Sequence, residues 1–114
     1  MSKNKNTPAP DAQILERLYD VLVSRKGADP EKSYTAKMYA KGVTKIAQKV
    51  GEEGVETALA AVAESRESLL EESADLLYML LLLWAAKDVT PAEVFAVLDH
   101  RFGTPGVRDK DKNG

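Results

Sequence analysis

Eleven consecutive residues from Leu76 to Ala86, LLYMLLLLWAA, contain no charged or amide side chain. Few constraints on a fold are stronger. Eleven residues are too few to cross a bilayer, which needs about 20. The run must therefore be buried on most sides, within the fold or between subunits. The residues before it, Glu67 to Asp75, continue the same helical pattern. A long helix is predicted over Glu67 to Lys87.

The neighbouring stretches repeat at the same period. Ile14, Leu15, Leu18, Val21 and Leu22 predict a first helix from about Asp11 to Arg25, with Asp11 able to cap it. Lys26 to Tyr34 is a loop punctuated by Gly27 and Pro30. A helical stretch starts near Thr35 and is broken at Gly42. A second long helix covers Val43 to Ala63. Ser65 to Ser68 is a short connection or a capping site. In Thr90-Pro91-Ala92-Glu93, threonine caps, proline fits the first turn and glutamate completes a capping box. The last helix runs from there toward Gly103. No strand or repeat is evident. The expected fold is all-α, a bundle of four or five helices spanning residues 11–103, between a flexible N-terminus (1–10) and a flexible tail (104–114).

Composition narrows the function classes. At 114 residues the chain is one domain. A net charge of -2 gives no basic field for nucleic acid. Cysteine is absent, which excludes disulfides and thiolate metal sites. The polar start, MSKNKNTPAP, is no signal peptide. The expectation is a cytoplasmic protein with no membrane partner.

Two helices carry the chemistry. On a wheel of the second long helix, Val43, Ile46, Ala47, Val50, Gly54, Ala58 and Ala61 form one stripe, small from Gly54 onward. It predicts that another helix backbone approaches closely at Gly54. Gly51 lies off the stripe. Lys45, Lys49, Glu52, Glu53 and Glu56 fall roughly opposite. They could be a solvated face laced with i,i+4 pairs such as Lys49 with Glu53. Against this, lysine before glutamate is the poorer order, and three glutamates crowd into little more than one turn. On the next helix Ser68, Glu72, Asp75, Met79, Leu83 and Ala86 share a stripe, so two acids lie on a face expected to be buried. A buried carboxylate is costly unless a partner or a metal offsets it. Glu72 and Asp75 could also be interior acids bonded to lysine or backbone.

The short connection makes the two helices antiparallel neighbours. Glu53-x-x-Glu56 and Glu72-x-x-Asp75 then converge on one cavity. Oxygen-only donors select hard cations, magnesium or manganese. No Glu-x-x-His pair of a di-iron bundle is present, and His100 reads as a surface residue. A magnesium cluster suggests phosphate chemistry, with Lys45 and Lys49 placed to hold phosphates.

The pattern Glu-Glu-x-x-Glu followed by Glu-x-x-Asp resembles the all-α nucleotide pyrophosphohydrolases, which include MazG and the dimeric dUTPases. The segments SYTAKMYAKGVTKIAQKVGEEGVETALAA, Ser33 to Ala61, and EESADLLYMLLLL, Glu71 to Leu83, more closely resemble the phosphoribosyl-ATP pyrophosphohydrolase family of histidine biosynthesis, over roughly Ile14 to Arg101. That resemblance implies magnesium-dependent cleavage of pyrophosphate from 1-(5-phosphoribosyl)-ATP, a phosphoribosyl nucleotide, and a homodimer or higher oligomer. It implies that Glu53, Glu56, Glu72 and Asp75 are metal ligands. Glu52 would be an outer ligand, a base for the attacking water or a lysine partner. Lys45 and Lys49 would meet phosphates. Ser33, Tyr34, Thr35 and Lys37 would shape the substrate pocket, although Thr35 could instead be a helix cap and Tyr34 a packing aromatic. The chain departs from many relatives in having Met79 where they carry histidine after the tyrosine. It also lacks the cysteine-bound zinc domain fused to this enzyme in some organisms, so a stand-alone enzyme is expected. Two rival readings use the same features: a house-cleaning nucleoside triphosphate pyrophosphatase, and a non-catalytic helical dimerisation module.

Overall fold

The computed structural model describes residues 9–103. The expectations for the first residues up to 8 and for the tail from 104 lie outside that range. Five helices follow in order: α1 (Gln13–Ser24), α2 (Tyr34–Lys41), α3 (Val43–Ala63), α4 (Arg66–Ala86) and α5 (Pro91–His100). No strand occurs among the described residues. The all-α expectation holds. No helix there is long and apolar enough to cross a membrane.

Local chemistry sets the boundaries. The Asp11 carboxylate accepts from the Gln13 backbone N–H at 3.0 Å, at the start of α1. Ser33 caps α2, accepting from the Ala36 N–H at 3.1 Å. This is the capping role that the sequence left open for Thr35. Gly42 ends α2 and begins α3 with φ 95°, a conformation that a side chain would oppose. Ser65 caps α4 through the Ser68 N–H, so α3 and α4 are joined by Glu64 and Ser65 alone. So short a link forces the two 21-residue helices to run antiparallel in contact. The capping box at α5 is complete: Thr90 N–H donates to Glu93 at 2.9 Å, and Glu93 N–H to the Thr90 hydroxyl at 3.2 Å.

The core lies around the C-terminal half of α4. Met79, Leu81, Leu82 and Ala85 are buried there with Leu22 of α1, Met38 of α2 and Ile46 of α3. Tyr39 ties α2 to α1 by donating its hydroxyl to the Leu22 carbonyl at 2.7 Å. Burial, then the neighbouring Tyr19 and Tyr78, pushes the Tyr39 hydroxyl up to about 12.

The expected packing face of α3 needs correction. Ala47, Ala58 and Ala61 are exposed, and no atom lies within 4 Å of a Cβ built on Gly54. No helix approaches closely there. The face turned toward α4 instead runs through Ile46, Val50, Glu53, Thr57 and Ala60, all buried or half-buried. The two stripes share Ile46 and Val50 and diverge beyond them. The Thr57 hydroxyl marks the true seam, lying 2.7 Å from the Glu53 carbonyl and 3.1 Å from the Glu72 carbonyl.

Candidate active site

Where α3 and α4 face each other, carboxylates converge. One oxygen each from Glu53, Glu56 and Glu72 can be chosen so that all three lie within 4.8 Å of one another. Asp75 stands outside that trio but lines the same cavity as Glu53. The i,i+3 spacing on each helix and the antiparallel pairing bring these acids together.

The electrostatics are those of uncompensated like charge. Glu72 Oε2 and Glu53 Oε2 are buried and have no hydrogen-bond partner. The Glu72 carboxyl is pushed up to about 7, first by a hydrogen bond shared with Glu56, then by burial, then by the charges of Glu56, Glu53 and Asp75. Burial, with Glu56 and Asp75 adding to it, also raises Glu53, and Lys49 only partly opposes this. Such oxygens are stable when a proton or a cation sits between them. Acceptor-only oxygen donors at this separation suit a hard divalent cation.

The other expected residues divide. Lys49 pairs with Glu52 at 3.5 Å, three residues away, rather than with Glu53. Glu52 is exposed and also accepts from Gln48 at 2.8 Å, which lowers its pKa. Its contacts are those of a lysine partner. Lys45 is half-buried, one turn before Lys49 on α3. Ser33 is occupied as a cap and Lys37 is exposed. Thr35 is buried, its hydroxyl bonded to the hydroxyl of Tyr78. Tyr34 is exposed and stands beside Tyr78. His100 is exposed on α5, as the sequence suggested.

Tyr34, Glu53, Asp75, Tyr78 and Met79 line a cavity of about 380 Å³. Two residues of this neighbourhood escaped the sequence reading. Tyr78 lies three residues beyond Asp75, and Thr57 lies four beyond Glu53. Their helical offset from the acids was the available signal.

The chain is similar to known proteins over nearly all of its described length. The phosphoribosyl-ATP pyrophosphohydrolase family profile matches residues 15–102. A phosphoribosyl-ATP pyrophosphatase of Paramagnetospirillum magneticum is 58% identical over 90% of this chain and 94% of its own length. Those of Azospirillum brasilense and Rhodospirillum rubrum are 52% and 50% identical, over 88% and 91% of this chain and 90% and 89% of theirs. With carboxylates gathered between α3 and α4 and a match over nearly every described residue, the chain belongs to the phosphoribosyl-ATP pyrophosphohydrolase family.

Proposed function

We propose that this chain is a hydrolase that converts 1-(5-phosphoribosyl)-ATP to 1-(5-phosphoribosyl)-AMP and pyrophosphate, in the cytoplasm, as a step of histidine biosynthesis. Residues 11–103 are the unit that carries the activity. The observation that supports this most is the buried, unpartnered pair of oxygens on Glu53 and Glu72, in a family whose relatives are phosphoribosyl-ATP pyrophosphatases.

In this reading Glu53, Glu56 and Glu72, with Asp75, hold magnesium, and manganese would also suit the donor set. When bound, the cation would neutralise developing phosphate charge and lower the pKa of the attacking water. The protein's own groups do the rest. The Glu72 carboxyl, raised to about 7 in the metal-free chain by Glu56 and by burial, would give up its proton when the cation binds, so cation binding and Glu72 deprotonation are linked. Lys45 and Lys49 offer positive charge to the polyphosphate, with Glu52 steadying Lys49. Thr57 keeps the two carboxylate-bearing turns in register.

The test is pyrophosphate release from phosphoribosyl-ATP, first with magnesium and then with excess chelator. Magnesium-dependent release that exceeds turnover of a panel of ordinary and damaged nucleoside triphosphates is expected. Preference for plain triphosphates, or indifference to chelator, would overturn the reading.

The same proposal includes a homodimer or larger assembly. Val55, Leu59 and Val62 of α3 and Leu70 and Leu77 of α4 are exposed, Val62 at 82%. An apolar strip along the outside of the helix pair is what a second copy would cover. Sedimentation equilibrium of the purified chain checks this, with a monomer at micromolar concentration as the contrary result.

A further inference from the structure

We infer that Tyr34 and Tyr78 form an aromatic wall on which the purine base of the phosphoribosyl nucleotide stacks, and that Thr35 is the residue that positions this wall. The inference rests on the reading above and says which part of the substrate meets which residues of the cavity.

Two chemically different sets of residues line the cavity. Glu53 and Asp75 supply one, and Tyr34, Tyr78 and Met79 supply the other. A cation and a polyphosphate use only the first. The flat, weakly polar part of the substrate is its base, and an aromatic face is the surface that matches it.

Tyr34 is shaped for such a contact. It opens α2 and is 53% exposed, unusual for an aromatic with an apolar neighbour at hand. Its ring centroid lies 6.4 Å from that of Tyr78, with 36° between the planes. The two rings are tilted rather than stacked on each other, and both line the cavity.

Thr35 explains why the tilt persists. It is 7% exposed, and its hydroxyl bonds the Tyr78 hydroxyl across the gap between α2 and α4. A buried hydroxyl is costly when unpaired, so each of the two holds the other in place. Because Thr35 directly follows Tyr34, one bond fixes both the Tyr78 ring and the backbone that carries Tyr34. Thr35 is not among the residues that line the cavity. It acts through the two tyrosines.

The two products separate the two sets, because phosphoribosyl-AMP carries the base and pyrophosphate does not. Calorimetric titration of each, in magnesium, into the full chain reads them independently. Tyr34→Ala should weaken phosphoribosyl-AMP by about tenfold to a hundredfold, the usual worth of one base–aromatic stack. Pyrophosphate affinity should stay at the wild-type value. Tyr34→Phe, which keeps the ring, should bind both like wild type. Thr35→Val should shift phosphoribosyl-AMP in the same direction by less, and Thr35→Ser should restore it. Equal loss of both ligands in Tyr34→Ala, or loss of neither, would overturn the stacking wall. Wild-type protein that binds neither product would instead count against the proposed reaction.

Discussion

The two halves of α4 are built for opposite purposes. From Met79 to Ala85 the helix is the centre of the core, with Leu82 fully buried. From Ser68 to Asp75 it has no fully buried residue, and it carries Glu72, whose buried oxygen lacks a partner. Apolar burial at one end is favourable. Crowded carboxylates at the other end oppose folding until something positive joins them. A single helix thus spends its C-terminal half holding the fold and its N-terminal half holding a site that the fold alone does not favour. The separation means that substitutions in the two halves should have opposite signatures.

The largest effect is expected on turnover. Replacing Glu72 by glutamine should lower pyrophosphate release at least about a hundredfold, by analogy with removal of one preorganised electrostatic group. Circular dichroism and melting should show the fold retained. Retained activity would place the chemistry elsewhere.

The other half of the helix should respond in stability. Leu82→Ala removes a fully buried side chain and should cost about 2–5 kcal/mol by urea unfolding. Turnover per folded molecule should stay near wild type. A similar loss from Glu72→Gln would erase the contrast between the halves.

Next comes pH. The Glu72 carboxyl stands at about 7 in the fold against an ordinary 4.5. Between those values the folded, metal-free chain binds more protons than the unfolded one. Its stability from this group is therefore full below 4.5 and declines as pH rises through 7. Melting temperatures of chelated protein across this range should fall with rising pH, and the slope should flatten in Glu72→Gln or with magnesium. A metal-free slope of opposite sign would contradict the crowding.

The smallest effect sharpens the account of the outer surface. Gly54→Ala has room for its Cβ within the chain and should stabilise α3 by about 1 kcal/mol. If a second copy packs against that turn, the same substitution should instead weaken association in sedimentation. The sign separates the two cases.

Much of this fold is legible in the sequence. Helix periodicity, Gly42, Ser65 and the Thr90–Glu93 box place the elements within two or three residues, the widest miss being the end of α5 at His100 rather than near Gly103, because capping and backbone conformation act locally. The approach of Glu53, Glu56 and Glu72 was legible because i,i+3 spacing and a short connection are also local facts. The rotation of α3 was not. A wheel ranks faces by hydrophobicity, and on this helix Ala58 and Ala61 of the small-residue stripe are exposed while Glu53 and Thr57 are half-buried toward α4. The ring of Tyr78 was likewise hidden inside an apolar run, where a tyrosine reads as core. Sequence by itself determined which segments are helices, where they stop and which acids are candidates, through interactions spanning one or two turns. Only tertiary structure decided which side of α3 meets α4, that Asp75 stands apart from the other three acids, and that Thr35 holds Tyr78. Those outcomes depend on how whole helix faces compete for one another, and residues far apart in the chain enter that competition together.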